Sequence, residues 1–160
     1  MTTDSALQHS SSGEHPTPSR QGYDFSEQVG HLLRKAYQRH TSIFQRYSSD
    51  KQLTAIQFVT LCTVMERGPS SLTEIVNVTA IDPATIRGVI KRLKAREWIT
   101  LTTDPKDQRK VMVVITESGA ALVEEMVPSA KQISDQTMKN LNPAERVALM
   151  HLLEKMNADG

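Results

Sequence analysis

Asp82-Pro83-Ala84-Thr85-Ile86-Arg87-Gly88-Val89-Ile90-Lys91-Arg92-Leu93, followed ten residues later by Asp104-Pro105-Lys106-Asp107-Gln108-Arg109, is the stretch on which the fold turns. Asp82 has the side chain of an N-cap, and Pro83 sits where the first helical residue needs no N–H donor. A helix from residue 83 to about 96 places Ile86, Val89, Ile90 and Leu93 on one face, and Ala84, Thr85, Arg87, Gly88 and Lys91 on the other. Beyond it, β-prone residues 99–103 and 110–115 flank Asp104-Pro105-Lys106-Asp107. That pattern is a hairpin with a polar, basic tip.

Working toward the N-terminus, Thr54 and Gln57 have capping-box spacing and open a short helix through Met65, stopped by Gly68-Pro69. Ser71 and Glu74 repeat the spacing and open another through about Val78. Upstream, Phe25, Val29, Leu32, Leu33, Ala36, His40, Ile43, Phe44 and Tyr47 form one broad apolar stripe over about six helical turns. Toward the C-terminus, a long helix starts near Glu117, with Pro128 positioned to kink it. Asn142-Pro143-Ala144-Glu145 then caps a last helix to about Met156. The expected class is mainly α with a small β-hairpin wing: a winged helix-turn-helix with N- and C-terminal dimerisation helices. Its parts are a disordered arm at 1–22, an N-terminal dimerisation helix at 23–50, the winged domain at 51–116 and C-terminal dimerisation helices at 117–160.

The formal net charge of +1 hides an uneven distribution. Residues 87–110 carry eight Lys or Arg against Glu97, Asp104 and Asp107, whereas from Glu117 onward seven acids face four bases. A basic middle in a neutral chain fits a surface built for a polyanion. Aromatics are only 4% of the chain, so the core must be aliphatic. The one cysteine, Cys62, lies in an apolar run and reads as a small buried side chain, with a thiol sensor as the alternative. The sequence shows no secretory or membrane segment, which makes the cytoplasm the expected location. It also shows no Gly-rich phosphate loop, paired-cysteine motif or His-Glu-x-x-His motif. Neither an enzyme nor a bound metal or cofactor is expected.

On the helix-turn-helix scaffold, the first turn of the second helix faces base edges, and Arg87 is able to donate a bidentate pair to guanine. Lys91, Lys94 and Arg96 are placed for phosphates. Lys106, Arg109 and Lys110 arm the hairpin, with Asp107 close enough to hold the Arg109 guanidinium in one pose for a narrow minor groove. The last helix carries Val147, Leu149, Met150, Leu152, Leu153 and Met156 around well over half its circumference. That much apolar surface favours burial against a second copy. The alternative is a non-enzymatic protein-interaction module with a helical dimerisation surface, which would have no need of a basic hairpin.

The quoted segments resemble the MarR family of bacterial repressors, whose signature pairs a Thr-containing recognition helix ending in Arg-Leu with an Asp-Pro-x-Asp-x-Arg wing. The similarity covers residues 25 to 157 and leans toward repressors of nicotinate-type aromatic acid degradation. It implies a dimer on double-stranded DNA, a wing arginine in the minor groove, and release by a small aromatic acid. Thr85, Arg92, Asp107 and Arg109 match the family's positions. Gly88, Lys91, Glu97 and Leu101 depart from them, Glu97 standing where the family usually has glycine. For an effector such as a hydroxybenzoate or pyridine carboxylate, the candidate contacts are the polar groups of the first helix. His40 is foremost as a donor, with Arg39, Tyr37 and His31 as companions; a hydrogen-bonded core histidine and a solvated arginine are the competing readings.

Overall fold

A computed structural model describes residues 24–158; the arm expected at 1–22 lies outside the described residues. The chain divides into two units, one ending at Arg34 and the other beginning at Lys35. In the first, Asp24 caps a short 3-10 turn at Phe25–Glu27, and the Phe25 and His31 rings stand 4.4 Å apart. Helix α1 (Val29–Tyr47) starts there and continues into the second unit.

Within the second unit the helix ends follow the local chemistry. Helix α2 (Ala55–Arg67) opens on the Thr54–Gln57 capping box and closes at Gly68, whose φ of 77° suits a residue without a β-carbon. Strand β1 (Ser70–Ser71) leads into α3 (Leu72–Thr79), capped reciprocally by Ser71 and Glu74. Helix α4 (Pro83–Ala95) starts on Asp82. Strands β2 (Ile99–Thr103) and β3 (Val111–Ile115) form the expected hairpin, in antiparallel register from Ile99 opposite Ile115 to Thr103 opposite Val111. β1 was not foreseen. It pairs with the other side of β3, Ser70 opposite Val113, to give the order β1-β3-β2. Two serines carry no strand pattern of their own, so this strand exists only because β3 has an open edge.

Helix α5 (Glu117–Thr137) runs unbroken through Pro128, and α6 (Pro143–Asn157) opens on the Asn142–Glu145 capping box. Leu61, Val64, Ile75, Ile86, Val89, Leu93, Ile99, Val113, Val123, Met126 and Ile133 are buried together, so α2 to α5 and the sheet share one aliphatic core. α6 contributes no buried residue, and Val147 is 72% exposed, with Met150, Leu152 and Met156 at 50% or more. Among the described residues no helix is long and apolar enough to cross a membrane.

Candidate nucleic-acid interface and effector cavity

The rotation of α4 is set by its apolar quartet: Ile86, Val89, Ile90 and Leu93 are buried. Asp82 Oδ1 accepts the Thr85 N–H at 2.9 Å, and these Thr85 contacts hold the Asp82 carboxyl below its ordinary pKa. With one face buried, Ala84, Arg87, Lys91, Arg92 and Lys94 are exposed, and Thr85 and Gly88 are half-buried on the same outer side. The helix itself carries four cations and no carboxylate, so its outer surface is positive.

The wing tip is built from its two aspartates. Asp104 Oδ1 accepts the Lys106 N–H at 2.8 Å and Asp107 Oδ1 accepts the Arg109 N–H at 3.0 Å. Backbone bonds from Asp104 N to Lys110 O and from Lys110 N to Asp107 O close the loop. Asp107 therefore holds the backbone of Arg109, not its guanidinium as the spacing had suggested. A two-residue separation in a tight turn lets the short Asp side chain reach a main-chain donor first. Lys106 and Arg109 project into solvent.

Two other basic residues are committed elsewhere. Lys110 Nζ lies 3.6 Å from Glu74 Oε1, tying the base of the wing to α3. Hydrogen bonds from Ser71, with Lys110 adding, keep the Glu74 carboxyl below its ordinary range. Arg96, grouped above with the phosphate anchors, instead donates to Asp50 at 2.7 Å and lies 3.9 Å over the Trp98 ring. It joins the α1–α2 connection to the wing entry. Glu97 takes the left-handed conformation, with φ 58°, a region that favours glycine. Its carbonyl accepts from both Thr116 Oγ1 and Ser118 Oγ, which anchor the strained residue.

Of the four effector candidates, two meet the end of α5. His40 Nδ1 stands 3.0 Å from Thr137 Oγ1, whose own proton goes to the Ile133 carbonyl. A hydroxyl has a single proton, so Nδ1 is the donor and neutral His40 has Nε2 as an acceptor. Burial lowers its pKa, favouring that neutral form. Arg39 Nη2 donates to the Gln136 carbonyl at 3.3 Å and lines a cavity of about 150 Å³ with Ser42, Ile43, Arg46, Tyr47, Gln136 and Lys139. Tyr37 is 54% exposed on α1 and outside that lining. His31 belongs to the N-terminal unit, its ring tilted against that of Phe25. Arg46 and Lys139 were not foreseen; Arg46 lies seven residues after Arg39, two turns along the same helix face, which was the available signal. Three cations without a carboxylate make this lining suited to an anion. Cys62 is half-buried, and burial together with Glu66 pushes its thiol up to about 11, so it stays protonated and poorly nucleophilic.

Comparison with known proteins agrees with this geometry. The MarR family profile matches residues 53–111, from the start of α2 to the wing. The chain is 61% identical over 134 residues to the HTH-type transcriptional repressor NicR of Pseudomonas putida, covering 84% of this chain and 85% of the relative. A structure of Bordetella bronchiseptica BpsR, from work on regulation of its DNA binding by 6-hydroxynicotinic acid, superposes with a TM-score of 0.80. It shows 59% identity and covers 86% of this chain and 99% of BpsR. A mutant of Escherichia coli MarR complexed with operator DNA superposes at 0.75 with 26% identity, covering 85% of this chain and all of that one. Regulators of this kind bind DNA and are not enzymes. With its capped basic helix, aspartate-built wing and these relatives, the chain belongs to the MarR family as a winged helix-turn-helix DNA-binding transcriptional regulator.

Proposed function

We propose that this regulator is a repressor that binds a palindromic operator as a homodimer and releases it on binding a small aromatic carboxylate. The carrying observation is the outer face of α4. Its position is locked by four buried side chains, and the helix presents four cations and carries no acid of its own. In this reading Ala84, Thr85, Arg87, Gly88, Lys91, Arg92 and Lys94 enter or flank the major groove. Lys106 and Arg109 follow the adjacent minor groove, Asp107 shapes the wing, and Lys110 reaches a phosphate while braced by Glu74. Residues 51–116 are the DNA-reading domain; 23–50 and 117–160 form the dimer. The exposed Val147, Met150, Leu152 and Met156 support a second copy on α6. Two-fold symmetry then sets two α4 helices roughly 34–36 Å apart.

The effector reading rests on Arg39, Arg46 and Lys139 around one small cavity, with His40 near by on the same pair of helices. A carboxylate meets cations there, and the His40 Nε2 acceptor offers a partner for a ring N–H or hydroxyl. The regulation of BpsR by 6-hydroxynicotinic acid makes pyridine carboxylates the first ligands to try; hydroxybenzoates are the second. Tyr37 and His31 are kept as secondary candidates. Selection of bound duplexes from a random pool, repeated with 6-hydroxynicotinic acid, tests both halves. A symmetric motif of about 15–25 base pairs is expected, with loss of binding on adding ligand. Recovery of no symmetric motif refutes the operator reading; a motif insensitive to all such acids refutes the effector reading.

A further inference from the structure

Gly88 stands at mid-helix on the outer face of α4, where glycine weakens a helix relative to alanine. Its backbone does not require glycine, because no left-handed φ occurs there. Nor does packing: the nearest side-chain atoms a β-carbon would meet belong to the Arg92 guanidinium, at ordinary contact distance, with Nη1 at 3.5 Å, Nη2 at 3.8 Å and Cζ at 3.9 Å. Helical side chains lean toward the N-terminus, so residue 92 covers the surface one turn back. The bare backbone of Gly88 thus leaves a slot into which the flat guanidinium lies. Among the described residues its donors have no hydrogen-bond partner. The helix holds no carboxylate, and among the described residues Arg92's side chain takes part in no ion pair.

We propose that Gly88 and Arg92 act as one specificity-determining pair, in which the missing side chain at 88 lets Arg92 fold forward along α4 and read a guanine that position 88 would otherwise face. The planar fork matches guanine O6 and N7, and the guanidinium already lies beside the space that a longer side chain at position 88 would fill. The inference rests on α4 entering the major groove as proposed above.

The test compares duplexes selected by the full-length wild type, Arg92→Ala, Gly88→Ala, Gly88→Leu and the Arg92→Ala/Gly88→Leu double variant, each checked for folding by circular dichroism. Arg92→Ala should lower the preference for guanine at one position per half-site by about tenfold or more. Gly88→Ala should keep that preference, since 3.5 Å is an ordinary contact for its methyl group. Gly88→Leu fills the slot and should lose the same preference although Arg92 is present, and the double variant should lose no more than either single one. Independent losses that multiply in the double variant overturn the pairing, as does a Gly88→Leu protein that retains the preference. If Gly88→Ala weakens every sequence equally, position 88 serves close backbone approach and the proposal fails. If Arg92→Ala does so with a salt slope smaller by about one, Arg92 is a phosphate contact and the proposal fails as well. A wild-type pool with no symmetric motif overturns the operator reading along with this one, whereas an intact motif indifferent to Gly88→Leu overturns this one alone.

Discussion

Gly119→Ala tests the joint between the wing and α5. A β-carbon at position 119 would stand 2.1 Å from the Trp98 carbonyl oxygen and 3.0 Å from Ile115 Cγ1, so the first contact falls about an ångström inside van der Waals distance. The obstacle is backbone, and it cannot rotate away. Trp98 O already accepts the Thr116 N–H at 3.0 Å, while Gly119 N donates to the Thr116 cap at 3.1 Å. Separating the two segments loses one hydrogen bond worth about 1 kcal/mol and weakens a cap worth about 1 kcal/mol. Residual overpacking adds roughly 1–3 kcal/mol. Alanine's lower chain entropy returns about 0.5–1 kcal/mol, leaving a net destabilisation of roughly 2–4 kcal/mol. At about 2–4 °C per kcal/mol, Tm should fall by roughly 5–15 °C. Thermal and urea unfolding at one fixed protein concentration measure this, because the proposed dimer would make Tm concentration-dependent. Operator affinity should fall with it, since Trp98 leads directly into β2. A Gly119→Ala protein within about 0.5 kcal/mol of wild type, while Gly88→Ala is neutral or stabilising, would refute the close-approach argument.

Arg87→Ala should cut discrimination at its base pair by about 1–3 kcal/mol, whereas Lys94→Ala should weaken all sequences alike; equal specificity ratios in operator titrations would count against the face assignment. Arg96→Met keeps the aliphatic stem but loses the Asp50 bond and the Trp98 stack, a cost of about 1–2 kcal/mol by urea unfolding for a partly exposed pair; an unchanged midpoint would reduce Arg96 to a solvated cation. Burial lowers the His40 pKa from its ordinary 6.5, so the unfolded chain binds its proton first. His40 therefore contributes stability that is fully present above pH 6.5 and is lost as pH falls from there through the depressed folded value; His40→Gln should flatten that part of the stability–pH curve, and an unaltered curve would show that His40 is not the group responsible. Met150→Asp together with Val147→Asp should shift the particle from dimer to monomer in sedimentation, and an intact dimer would remove α6 from the proposed interface.

Much of the frame was legible because it depends on neighbours within a turn or two. Asp82, Thr54, Ser71 and Asn142 each satisfy a backbone donor three residues ahead, so spacing alone located the helix starts. The 3.6-residue period assigned the inner and outer faces of α4 correctly. The same period placed α1 and α6 as apolar stripes without telling what covers them. Asp107 shows the limit of short-range reasoning: the spacing brought carboxylate and arginine together, but the nearest donor was the main chain.

By itself the sequence determined the order of helices, the basic outer face of α4, the hairpin and the family, because caps, periodicity and turn chemistry act over a few residues. Only tertiary structure decided which cations are free and which are committed. Arg96 meets Asp50 across 46 residues of chain, Lys110 is drawn to Glu74, and Arg39, Arg46 and Lys139 converge on one cavity. Those pairings depend on how the buried aliphatic faces dock. Docking is set by the summed packing of many side chains distant in sequence, and no local pattern encodes that sum.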